Sequence, residues 1–174
     1  NLVENISKSV AIELLFEEMP TRPTANAIFR EARKIFSDIN IINRDENDIE
    51  FSVDKFVAYN EDNTTSPVVL AMGNITDFDD KVAVSEFERT QIWNVANSEE
   101  LLSKYKYAVK IWDVNAQRQI PKERAIMLVD WLNVALKLYP KCQAIWIKSA
   151  GKLQLAQSIK NLKETGIVKY LYSM

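Results

Sequence analysis

The sequence predicts an α/β domain with a mixed sheet, its C-terminal half a parallel strand-helix-strand unit and helices packed on at least one face, with α+β as the alternative. Three observations lead there. Apolar residues alternate with a period of two in several short segments, and segments of helical spacing separate them. Residues 107–148 read strand, helix, strand in that order, and two such strands in one sheet imply a right-handed parallel crossover. The composition, 47% hydrophobic and 26% charged over 174 residues, suits one domain that buries most of its unfolded surface. Residues 1–174 are therefore read as a single domain. Because the chain starts at Asn1 without methionine, the expectation is that some of the native protein is missing.

Val10 to Glu17 reads as the first strand, with Val10, Ile12, Leu14 and Phe16 on one face and Ala11, Glu13 and Leu15 on the other. Met19-Pro20-Thr21-Arg22-Pro23 stops it. From Thr24 to Asp38, Ala25, Ile28, Phe29, Ala32, Ile35 and Phe36 form one apolar helical stripe, with Arg30, Arg33 and Lys34 outside it. Asp48 to Tyr59 alternates as a hairpin or one bent strand, the polar residues Asn60 to Ser66 form a loop, and Pro67 to Ile75 form another strand. A short helix fits Ser85 to Trp93, and Asn97 with Glu100 three residues on resembles a capping box that starts a helix to Lys104.

Tyr107 to Val114 is a strand, Pro121 to Tyr139 a helix with proline in its favoured first turn, and Gln143 to Lys148 a second strand. A helix from Gly151 to Glu164 ends at Gly166, and Ile167 to Tyr172 form a last strand. In the helix from Pro121, the polar residues Glu123, Asp130, Asn133 and Lys137 cover only about 100° of the wheel. Its apolar circumference exceeds what one sheet face covers, so a neighbouring helix, a missing segment or a second protein must bury the excess.

Composition removes most routes to catalysis. There is no histidine, a single cysteine at Cys142, and only three glycines, Gly73, Gly151 and Gly166. The usual general base and triad centre is thus absent, and phosphate loops built on clustered glycines have no counterpart. Cys142, directly before a strand, reads as buried and inert. The net charge of -2 does not suit a dedicated nucleic-acid binder. No apolar run reaches the length of a bilayer span, no signal peptide opens the chain, and the lone cysteine fits a reducing compartment. The expectation is a cytoplasmic protein with no cofactor, no bound metal and no membrane insertion. The acceptor patterns at Asn5, Asn63 and Asn74 read as chance in an asparagine-rich chain.

Open parallel sheets bind ligands at the carboxyl ends of their strands, where following helices present unpaired N–H groups. That edge collects Asp113, Asn115, Lys148, Ser149, Gly151 and Lys152. Ser149-Ala150-Gly151-Lys152, read as a strand-to-helix turn, places N–H groups and two lysines where a carboxylate or phosphate could bind. It is not a Walker A loop, since Trp146 stands where the first glycine belongs and Leu153 where Ser or Thr belongs. Asp77, Asp79 and Asp80 form the densest carboxylate cluster without calcium-loop spacing. Glu17 and Glu18 end the first strand, and Arg22, Arg30, Arg33 and Lys34 give the first helix a basic flank interrupted by Glu31 and Asp38. Of the aromatic residues, Trp112, Trp131 and Trp146 fall in strong element patterns that imply core packing, while Trp93, Tyr105 and Tyr107 are candidate interface anchors.

Several of these pieces recur in order as a pattern: the apolar strand Pro67 to Met72, Trp93 before a short helix, the strand Tyr107 to Val114, and Arg124-Ala125 in a helix ending Ala135-Leu136-Lys137-Leu138-Tyr139-Pro140. Cys142-Gln143-Ala144-Ile145-Trp146 and the Ser149, Gly151 and Lys152 turn complete it. From Pro67 to Ser158 the chain resembles the DUF4261 family of bacterial domains of unknown function. The resemblance brings no reaction with it. It implies a bacterial protein-binding role, as an immunity or accessory factor near toxin or secretion genes, and a native chain that extends beyond Met174. The expected partner is another protein or a second copy. The competing expectation is an enzyme or small-anion binder at Ser149 to Lys152, supported by Asp113 and Lys148.

Overall fold

The computed structural model describes residues 9–45, 47–79, 83–92, 98–116 and 118–161. They form one open, wholly antiparallel sheet of eight strands with five helices, an α+β arrangement. The strands are β1 (Ala11–Phe16), β2 (Ile39–Arg44), β3 (Asp48–Tyr59), β4 (Thr65–Gly73), β5 (Thr76–Asp77), β6 (Tyr107–Val114), β7 (Ala144–Ile147) and β8 (Lys152–Leu155). The helices are α1 (Ala25–Phe36), α2 (Glu86–Thr90), α3 (Ser98–Lys104), α4 (Pro121–Leu138) and α5 (Ala156–Asn161). The spatial order is β2-β3-β4-β6-β1-β7-β8, and β5 pairs with β6 beyond the end of β4.

The parallel strand-helix-strand half is therefore corrected. β6, α4 and β7 do follow one another, and β6 and β7 do point the same way, because each runs antiparallel to β1. They are not neighbours. β1 lies between them, with Leu14 opposite Val109 on one side and Ile145 on the other, so no parallel ladder forms. The expected helix from Gly151 is also replaced: the chain turns back as β8 against β7 before α5 begins. The proposed strand Ile167 to Tyr172, together with Asp80, Trp93 and Asn97, lies outside the described residues.

The larger core fills one face. Ile12, Leu14 and Phe16 of β1, Phe51 and Val53 of β3, Val68 and Leu70 of β4 and Val109 and Ile111 of β6 meet Ile28, Phe29, Ala32 and Phe36 of α1 and the buried side of α4. These strand residues alternate, as the pleat requires. Trp131 is fully buried, stacks edge-on against Phe51 with ring centroids 5.1 Å apart, and its Nε1 donates to the Ala71 carbonyl at 3.0 Å. α1 packs beside α4, so the excess apolar surface of α4 is covered within the chain. Thr24 caps α1 by accepting from the Ala27 N–H at 3.1 Å, worth about 1 kcal/mol.

A smaller core lies on the opposite face. Leu15, Ala108, Ala144, Trp146 and Leu153 from the sheet meet Phe78, Val84, Ile92, Leu102 and Tyr105. α2 begins with a full capping box, Ser85 Oγ accepting from the Glu88 N–H and Glu88 Oε1 accepting from the Ser85 N–H.

Candidate functional site

The five residues of the expected anion site do gather at one end of the sheet. Asp113 near the end of β6 and Lys148 after β7 flank the start of β1, as the pairings Ala11 with Trp112 and Glu13 with Trp146 require. Their chemistry differs from the expectation. Asp113 is fully buried, and its carboxylate is already engaged. Oδ2 accepts from Arg124 Nε at 2.6 Å, while Oδ1 accepts from Arg124 Nη2 at 2.9 Å and from the Val10 N–H at 2.8 Å.

Lys148 and Ser149 are exposed in a single 3-10 turn, with the Lys148 ammonium 5.8 Å from the Trp146 ring centroid. Gly151 adopts φ 61°, a left-handed conformation that reverses the chain. Lys152 stands on β8, where partial burial lowers its ammonium pKa. A strand-to-helix turn would aim free N–H groups at an anion, but here the chain enters the ladder with β7. The side chain of Gln91 brackets the same hairpin, Nε2 donating to the Gly151 carbonyl at 2.6 Å and Oε1 accepting from the Leu153 N–H at 3.0 Å.

The other sequence candidates are dispersed. Asp77 and Asp79 are exposed on and after β5, and the described residues hold no cluster of three potential metal ligands. Glu17 and Glu18 line a cavity of about 170 Å³ with Lys141 and Gln143. Arg22 donates to the Asp45 carbonyl at 3.3 Å, and Arg44 donates to Asn26 Oδ1 at 3.1 Å while lying over Phe29. Trp146 and Trp131 are core residues and Trp112 is half-buried, its ring against Gly73. Trp146 Nε1 donates to the buried carboxylate of Glu88, which ties α2 to the sheet. Burial pushes the Cys142 thiol up to about 12, and Sγ meets the Ala144 carbonyl at 3.3 Å. A thiol so held is a poor nucleophile.

Two surfaces stand out that sequence reasoning did not single out. The first is the edge strand β2, which among the described residues pairs only with β3. It presents Ile41 and Ile42 at 41% and 55% exposure, without a charge between Ile39 and Asn43. Its pairing shifts register between Ile41 and Asn43, so a bulge falls at Ile42. The β-branched run was the available signal, masked by the asparagines around it.

The second is a groove of about 410 Å³ on the helical side, lined by Ile35 of α1, Asn133, Leu136 and Lys137 of α4 and Lys160 of α5. Beside it Lys34 Nζ lies 2.7 Å from Glu31 Oε1, and the Glu31 carboxyl is held below its ordinary value by that bond and by the charges of Lys137 and Arg30.

Comparison with known proteins finds no matching family model, no similar curated protein and no similar solved structure. No helix among the described residues is long and apolar enough to cross a membrane.

Proposed function

We propose that this chain is a non-catalytic protein-binding domain that adds an extended segment of a partner protein to β2. The observation that carries the reading is the open edge itself. Among the described residues, the stretch Ile39 to Asn43 turns the backbone groups of alternate residues outward beside exposed isoleucines, and no lysine or proline blunts it. The bulge at Ile42 limits a regular new ladder to a short stretch, which fits docking of a short segment and not unlimited edge-to-edge growth. The resemblance to DUF4261 adds the setting, an immunity or accessory factor in bacterial toxin or secretion systems.

The test is a purification from the native host, with mass measured by light scattering during gel filtration. The wild type should travel with a stoichiometric partner, and a variant carrying both Ile41→Lys and Ile42→Lys should travel alone. Exposed substitutions of this kind change stability by only about 0.5 kcal/mol, so equal melting temperatures would separate lost binding from lost folding. A wild type found only as a free monomer would refute the reading.

A further inference from the structure

We infer that the groove between α1 and α4 is a second docking surface, for an acidic segment of a partner protein that also carries apolar side chains. The inference rests on the protein-binding reading but on a different face from β2. The floor is apolar, Ile35 being half-buried and Leu136 nearly buried. The rim is cationic among the described residues: Lys137 and Lys160 line it as exposed side chains, Arg30 and Lys34 stand close to Glu31, and Lys55, which donates to the Ile35 carbonyl at 3.5 Å, pairs with Asp130 at 3.8 Å. Among the described residues, five positive charges (Arg30, Lys34, Lys55, Lys137 and Lys160) against two negative (Glu31 and Asp130) form a local excess on a chain whose net charge is -2. The field there opposes the molecule as a whole, so it selects acidic partners by attraction and disfavours basic ones.

The apolar floor narrows the class further. Highly charged polyanions gain nothing from Ile35 and Leu136, whereas a segment with carboxylates beside leucine or phenylalanine satisfies both floor and rim. The volume lies within the ~300–1,000 Å³ range of clefts that bury a ligand. The positions follow from the elements: Asn133 and Lys137 are one helical turn apart on the outward side of α4, and Ile35 faces them from the last turn of α1.

The experiment is a random-peptide display selection against the full chain, counter-screened with a Lys137→Glu/Lys160→Glu variant of unchanged melting temperature. Enriched peptides should carry Asp or Glu beside large apolar residues, bind about tenfold or more weakly to the double variant, and weaken as salt rises. Peptides that bind both proteins equally, or no enrichment at all, would overturn the proposal. So would tighter binding of a single-stranded oligonucleotide than of the selected peptides. Peptides lost instead on the Ile41→Lys/Ile42→Lys variant would place binding at β2, sinking this inference while leaving the β2 reading intact.

Discussion

Cys142 illustrates how burial decides what a side chain can do. It sits between the end of α4 and β7 at 4% exposure, and its N–H donates to the Tyr139 carbonyl at 3.1 Å. Loss of hydration raises the thiol from its ordinary 9.0 to about 12, and the same cause raises Tyr139 to about 12. The folded chain therefore holds these protons more tightly than the unfolded chain does. Their contribution to stability is complete below pH 9 and is lost as pH climbs from there to about 12, where the unfolded chain ionises first. Two measurements check this. Alkylation of Cys142 at pH 8 should be slow in the native protein and fast in denaturant, and the denaturation midpoint should fall steadily above pH 9. Rapid native alkylation would contradict the account.

At the scale of elements, the decisive junction is the ion pair of Asp113 and Arg124, which joins the end of β6, the approach to β1 and the first turns of α4. Asp113 is fully buried, while the Arg124 side chain keeps 18% exposure. The two partners are therefore unequal. Arg124→Met strands a carboxylate without its counter-charge and should cost about 3–5 kcal/mol; Asp113→Asn keeps an acceptor for the Val10 N–H and leaves a guanidinium that reaches water, so it should cost less. Urea titrations of both variants give the order directly, and equal costs would mean that the pair does not clamp these elements. The strand Tyr107–Val114 and the helix from Pro121 were legible because their apolar periods are long and unbroken. β2 was hidden by Asn40 and Asn43, which read as turn residues until pairing with β3 overrides them. The Gly151 turn was misread because Lys152–Leu155 is too short a segment to separate strand from helix. The strand-to-helix turn expected at Ser149 to Lys152 gives way to a hairpin for the same local reason, and the pairing of Asp113 with Arg124 has no signature in the linear pattern. Nor does strand order appear in a linear pattern: nothing in residues 107–147 shows that β1, ninety-odd positions earlier, will insert between β6 and β7.

On the scale of the whole molecule, the sheet separates two cores of unequal size. The helical side joins α1 and α4 to six strands through a continuous set of large side chains, among them Phe16, Phe29, Phe36, Phe51 and Trp131. The opposite side rests on Trp146, Phe78, Tyr105 and a few aliphatics, with α2 fastened by Glu88 to Trp146 and by Gln91 to the β7–β8 hairpin. Short helices over a small core open at lower free energy than the elements that define the global transition. Native-state hydrogen exchange should therefore show α2 and α3 opening before β1, β6 and α4. Trp146→Phe takes the indole donor from a buried carboxylate, so it should widen that gap by loosening α2 more than it lowers global stability. If every protected amide exchanged with one common free energy before and after the substitution, the two faces would be a single cooperative unit. If α2 and α3 open first, the groove proposed for docking lies over the larger core and β2 joins that core through Ile39, so a partner of the proposed kind would meet a surface already in its binding shape.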